Sequence, residues 1–223
     1  MKQRYLKQIL VCSLLIPMLN FANETEETPK TDTPTATRIV VGNRPIEQIK
    51  ETEEGSAQFF GGDYPVLYYP AGVHYIDRFS ALGNTVDMED GAVWKISRYD
   101  APKVLTWSGD HPIMITQNHR WFSQYNYRII NQATGESLEA NLYLGPFHNG
   151  PYTRYIVSID LYHGCAILND GTHWKVSPYD AYLFDQWRLH DTVIIGYNSG
   201  YDSSYQGLLI NVNMNCSVRA EQF

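Results

Sequence analysis

The sequence predicts an all-β protein: two tandem small β-barrels of about 70 residues each, preceded by a signal peptide and a flexible acidic arm. Three observations carry that expectation. From residue 73 onward the chain repeats itself at an offset of 80, so that Asp90-Gly91-Ala92-Val93-Trp94-Lys95-Ile96-Ser97-Arg98-Tyr99-Asp100-Ala101 returns as Asp170-Gly171-Thr172-His173-Trp174-Lys175-Val176-Ser177-Pro178-Tyr179-Asp180-Ala181. Each copy alternates apolar and polar side chains at strand period, with turn residues at roughly the spacing of short strands. The composition fits: 223 residues, 43% hydrophobic, with 17 Tyr and 5 Trp, is enough length and aromatic mass to bury a core and excludes a disordered chain.

Residues 1–22 have the pattern of a secretory signal. Lys2, Arg4 and Lys7 precede the apolar run Ile9 to Leu19, and Asn20-Phe21-Ala22 offers a small residue for cleavage. The run is too short to span a bilayer once Pro17 interrupts it, and Val11 before Cys12 does not suit a lipoprotein signal. Export to a periplasm, cell envelope or secreted space is expected, with no membrane span after cleavage. Removing three basic residues and no acidic one leaves a chain more acidic than its formal net charge of −7, which argues against nucleic acid or anionic lipid as a partner.

Residues 23–45 begin with a Thr/Glu/Pro-rich stretch that buries too little to offset its ordering entropy, so a flexible arm is expected. Residues 46–72 carry a short polar helix over Pro45 to Glu54 and an aromatic loop from Phe59 to Pro70. The first barrel is then expected over 73–142, a Gly/Pro-rich linker over 143–152 and the second barrel over 153–222. Trp107 returns as Trp187, and Ile129-Ile130-Asn131 as Leu209-Ile210-Asn211. Between them a one-residue insertion would set Asp110 against Asp191.

The first turn of each copy can be read closely. A two-residue Asp-Gly hairpin would pair Trp94 with the charged Asp87. A three-residue loop, Glu89-Asp90-Gly91 or Asn169-Asp170-Gly171, pairs apolar side chains instead and needs its glycine left-handed in a bulge. Ser97-x-x-Asp100 and Ser177-x-x-Asp180 have capping-box spacing, so one helical turn is expected at a barrel corner, with both aspartates as caps. Five or six short strands around such a corner resemble an SH3-like or OB-like barrel in architecture alone. The four tryptophans Trp94, Trp107, Trp174 and Trp187 belong to the cores.

The search for chemistry returns little. None of the seven histidines has the i, i+4 spacing of a zinc site or lies in a Cys-x-x-Cys framework. Ser108-Gly109-Asp110-His111 collects relay residue types, but neighbours in a tight turn do not line up as a relay. No catalytic residue, metal or cofactor is expected. Export makes a disulfide between Cys165 and Cys216 chemically permissible, and two separate small core residues are the other reading.

One feature points to function. The same connection in both copies carries rings amid small polar residues: Trp121, Phe122, Tyr125 and Tyr127 in the first, Tyr197, Tyr201 and Tyr205 in the second. Rings with amides and hydroxyls make adaptable contact surfaces; alternatively these rings fold back as lids over small cores. The expected function is therefore a non-enzymatic binding or interaction protein that contacts a protein or glycan partner through these loops. Two rivals remain: an exported hydrolase whose histidine–carboxylate site forms only in three dimensions, and a self-associating structural envelope subunit.

Overall fold

The computed structural model describes residues 37–42, 72–200 and 204–223. The expected signal, most of the arm and the helix and aromatic loop of 46–71 lie outside these residues, as does Tyr201.

The described chain is all-β, with two single-turn helices. Its strands run β1 (Val73–His74), β2 (Ile76–Phe79), β3 (Thr85–Met88), β4 (Val93–Ile96), β5 (Ile113–Gln117), β6 (Tyr127–Asn131) and β7 (Ser137–Leu144). They continue as β8 (Arg154–Asp160), β9 (Cys165–Leu168), β10 (His173–Val176), β11 (Thr192–Tyr197), β12 (Gly207–Asn211) and β13 (Cys216–Gln222). Helical turns α1 (Ala101–Val104) and α2 (Ala181–Phe184) follow β4 and β10. Pro102 keeps α1 short, and Pro178 opens the 3₁₀ turn that leads into α2.

The strands β8-β9-β10-β13-β12-β11 form a closed six-stranded barrel, because β11 returns to pair Thr192 with Tyr155 and Val193 with Arg154. Closure needs β8 to serve two neighbours, and a bulge between Ile156 and Ser158 bends it from β11 onto β9. Ahead of it run β2-β3-β4-β7-β6-β5, with β1 on the far side of β5. The ladders of these outer strands recur eighty residues on. Ile76 faces Met88 as Ile156 faces Leu168, Trp94 faces Val86 as Trp174 faces Ala166, and Ile113 faces Asn131 as Val193 faces Asn211.

The first turns form as three-residue loops with Gly91 and Gly171 at φ +87° and +81°, the left-handed region that glycine enters without a steric cost. The expected insertion before β5 is absent. His111, not Asp110, stands where Asp191 stands: its Nδ1 accepts from Asn131 Nδ2 at 2.9 Å, as Asp191 Oδ2 accepts from Asn211 Nδ2 at 2.8 Å. A buried amide that needs an acceptor set the register, and an imidazole or a carboxylate can supply it.

The helical turns form, but not through a capping box. Neither Asp100 nor Asp180 makes a side-chain cap bond, and Ser177 Oγ has no partner among the described residues. Asp100 instead accepts the amide of Glu139 at 3.0 Å, and Asp180 accepts the amide of Arg219 at 2.8 Å together with its guanidinium. Each carboxylate ties its corner to the last strand of its half. Backbone amides at a strand's free edge were the stronger claim on the charge.

All four repeated indoles are buried. Trp94 packs edge-on to Tyr127, centroids 5.4 Å apart. In the barrel, Gly207 takes the place of Tyr127, and a Cβ there would lie 2.5 Å from the Trp174 ring. The hairpin β11–β12 is buried on both faces: Val193, Ile195 and Leu209 join the barrel core, while Ile194, Leu208, Ile210 and Val212 join the core of the preceding strands. Thr116 in β5 lies beside Tyr197 in a parallel bridge, and its hydroxyl meets Ser199 Oγ at 2.7 Å.

Filling the Gly207 gap should be costly. Gly207→Ala is expected to destabilise the fold by about 1–3 kcal/mol through overpacking against Trp174, measured as a lower chemical-denaturation midpoint with unchanged slope.

Candidate functional site

Three connections converge at one end of the first half. The β2–β3 turn brings Asn84, the β4–α1 corner brings Ser97, Arg98 and Tyr99, and the β5–β6 loop brings Gln124 and Tyr125. With Lys95 and Ile96 they line a cleft of about 450 Å³. The lining holds two cations and no carboxylate. Arg98 lies over the Tyr99 ring, 4.7 Å from its centroid, and donates to the Tyr99 hydroxyl at 2.6 Å.

The β5–β6 loop is tied at its base and open at its tip. Asn118 donates its amide to Asn126 O and its side chain to Tyr125 O, while Asn141 accepts from the Asn126 amide and donates to Gln124 O. In the barrel, Asn198 repeats the arrangement on Gln206 O and Tyr205 O. Beyond those ties Trp121 is 90% exposed and Phe122 96% exposed, so neither ring folds back as a lid. Arg120 beside them reaches Glu139 at 3.2 Å.

The other expected contact residues divide. Tyr125 and Tyr205 are half-buried and Tyr197 is partly exposed. Tyr127 is buried against Trp94 and belongs to the core, because it is the first residue of β6 and shares its inward face with Ile129. Sequence reasoning missed Tyr99 and Tyr179, both 76% exposed at the corner after β4 and β10. Each carries a guanidinium over its ring, Arg98 at 4.7 Å from the Tyr99 centroid and Arg219 at 5.7 Å from that of Tyr179, and leaves the rest of the ring in solvent. It also missed Leu82 and Tyr162, exposed at the tips of the turns after β2 and β8. The signal was present: an apolar or aromatic residue inside a polar turn.

Histidine–carboxylate pairs form at His163–Asp160 and His74–Glu89, neither of them in the cleft. His163 Nδ1 meets Asp160 at 2.7 Å on the exposed β8–β9 turn. His74 meets Glu89 at 2.8 Å in the interior. Among the described residues no group of three His, Cys, Asp or Glu side chains is placed to hold a metal ion. Cys165 and Cys216 are both thiols with no bridge between them; β9 and β13 are separated by β10, and each cysteine is the first residue of its strand. Searches of protein-family models, of curated protein sequences and of solved structures return no match to this chain. Among the described residues no helix is long and apolar enough to cross a membrane.

Beside Glu89 lies a buried carboxyl, Asp90. Burial and the neighbouring Glu89 charge push the Asp90 carboxyl up to about 6, against the pull of His74, the Ala92 amide and Arg154. An acid with a raised folded-state pKa favours folding when protonated, so stability falls as pH climbs from its ordinary 3.8 to about 6 and stays lower above that. Asp90→Asn keeps the acceptor for the Ala92 amide without the charge. It should stabilise the fold at pH 7 by on the order of 1–3 kcal/mol and have little effect below about pH 4, read from thermal melts across pH.

Proposed function

We propose that the chain is an exported binding protein built from two copies of one barrel module, which engages a protein or glycan partner of the cell envelope or secreted space through the aromatic end of each copy. The observation that carries this reading is the pair Trp121 and Phe122: two large rings held in solvent by a loop whose base is fixed by four hydrogen bonds. Exposed large rings on a preorganised loop give contact area at low entropic cost, which is what a binding surface needs. Tyr99, Tyr125, Lys95 and Arg98 extend the surface into the adjoining cleft.

The duplication is supported by the ladders that recur at a constant eighty-residue offset, bulge included. It puts a second set of rings, Tyr162, Tyr179 and Tyr205, on the corresponding turns of the barrel, and two linked surfaces bind a repeating partner more tightly than either alone. Export is supported by Lys2, Arg4 and Lys7 ahead of the apolar run.

The test compares the wild type with Trp121→Ala/Phe122→Ala for binding to envelope proteins and to purified envelope glycans. The double variant should keep its melting temperature, because the rings contribute nothing to the core, and lose about tenfold or more in affinity. Equal binding by both proteins sinks the loop as the contact site. A solution mass that falls from oligomer to monomer in the variant assigns the surface to self-association instead.

A further inference from the structure

We propose that the contact between the two halves contains a proton-operated latch: His74, gripped between the Glu89 carboxylate and the Ile195 carbonyl, joins β1 to β11 as an imidazolium and releases when it loses a proton. His74 Nδ1 lies 2.8 Å from Glu89 Oε1, and Nε2 lies 2.7 Å from Ile195 O, with the ring buried. A carbonyl oxygen only accepts, and so does an ionised carboxylate. Both ring nitrogens must therefore carry hydrogen, which only the charged ring provides.

The surroundings favour that state. Burial opposes the charge, but the Glu89 and Asp90 carboxylates and the Ile195 carbonyl outweigh it and hold the His74 pKa above its ordinary 6.5. Glu89 is held below its ordinary 4.5, since the His74 charge and the Tyr75 amide overcome its own desolvation. The groups facing the ring come from each element packed on it. The β3–β4 turn gives Glu89 and Asp90, and β5 gives uncharged Ile113 and Met114. From β11 comes a backbone carbonyl. Arg154 of β8 acts on Asp90 at longer range while bonding Asp170 at 2.7 Å.

Comparison of the halves shows what is particular to His74. Eighty residues on stands Arg154, a permanent cation that pairs with Asp170 inside its own half. Glu89 accepts the Tyr75 amide as Asn169 accepts the Tyr155 amide. The first half thus keeps the frame, exchanges the fixed cation for a titratable one and turns its second nitrogen toward the other half. A neutral ring has a single N–H, so either Glu89 or Ile195 O loses its donor from a buried ring. Because the His74 pKa is raised, its contribution is complete below pH 6.5 and disappears as pH rises through the raised value. The Glu89 contribution is lost only as pH falls through a value below 4.5, so the latch is shut between these limits.

The experiment uses the ¹⁵N-labelled chain. Imidazole nitrogen shifts at pH 6.5 should show both His74 nitrogens protonated. Hydrogen exchange of the β1–β5 ladder, corrected for intrinsic rate, should lose about tenfold or more in protection on crossing the His74 pKa, while the β12–β13 ladder stays protected. His74→Gln, uncharged at every pH, should show the open level throughout. If that variant does not fold, Glu89→Gln keeps an acceptor but removes the charge, and should move the transition to lower pH. A neutral His74 ring at pH 6.5, or a transition whose midpoint Glu89→Gln leaves unchanged, overturns the latch.

Discussion

The hairpin β11–β12 faces apolar side chains on both sides, and this double burial governs how the rest of the chain is arranged. A strand with one wet face alternates, but Val193-Ile194-Ile195 is apolar throughout because one side closes the barrel and the other seals the strands before it. Neither half can be lifted from the other without exposing Ile194, Leu208, Ile210 and Val212 to water. At roughly 1.5–3 kcal/mol per buried aliphatic side chain, that separation would cost a large fraction of a domain's net stability. The seam is part of the core. A polar bond crossing it, such as His74 to Ile195, therefore operates in a dry environment where a missing donor is felt in full.

Across the seam the two halves carry the same ladder registers and different chemistry. Position by position, His74 stands for Arg154, His111 for Asp191 and Tyr127 for Gly207, each without moving the ladder around it. These exchanges preserve a requirement and alter the group that meets it. The amide of Asn131 or Asn211 needs an acceptor, which a neutral imidazole or a carboxylate provides. The space beside Trp94 needs a ring, whereas Trp174 lies flush on the backbone at Gly207. Backbone hydrogen bonding fixes the scaffold, and side chains are free to differ wherever the local demand has more than one answer.

That distinction explains what could be read from the residues. The three-residue turns were legible because pairing Trp94 with Asp87 would bury a charge, so only one loop length was tolerable, and the burial of Trp94 and Trp174 followed from strand parity. The false insertion arose from matching Asp110 to Asp191 by identity, when the shared property was accepting from an asparagine. The capping box failed for a similar reason. Spacing identifies a carboxylate near a helix start, but the competing amides of Glu139 and Arg219 are thirty-nine residues away and leave no local mark. Tyr127 was legible in principle: it has the parity of Ile129, and extending the alternation by one step places it indoors. Nothing local announces the second apolar face of β11, since a continuous apolar run reads equally as a strand inside a single barrel.

The same logic bears on the exposed rings. A small barrel short of apolar cover should recruit nearby aromatics as lids, and Tyr127 does so for Trp94. Trp121 and Phe122, six and five residues earlier in the same connection, had that option and did not take it. The ties at the loop base explain why: Asn118 and Asn141 hold residues 118 and 124–126 together, and the two rings sit on the segment between these fixed points. Core packing therefore gives no reason for their size. What remains is exposed aromatic area on a loop tied at its base, beside a lining that holds Lys95 and Arg98 and no carboxylate, on a chain whose overall charge is negative.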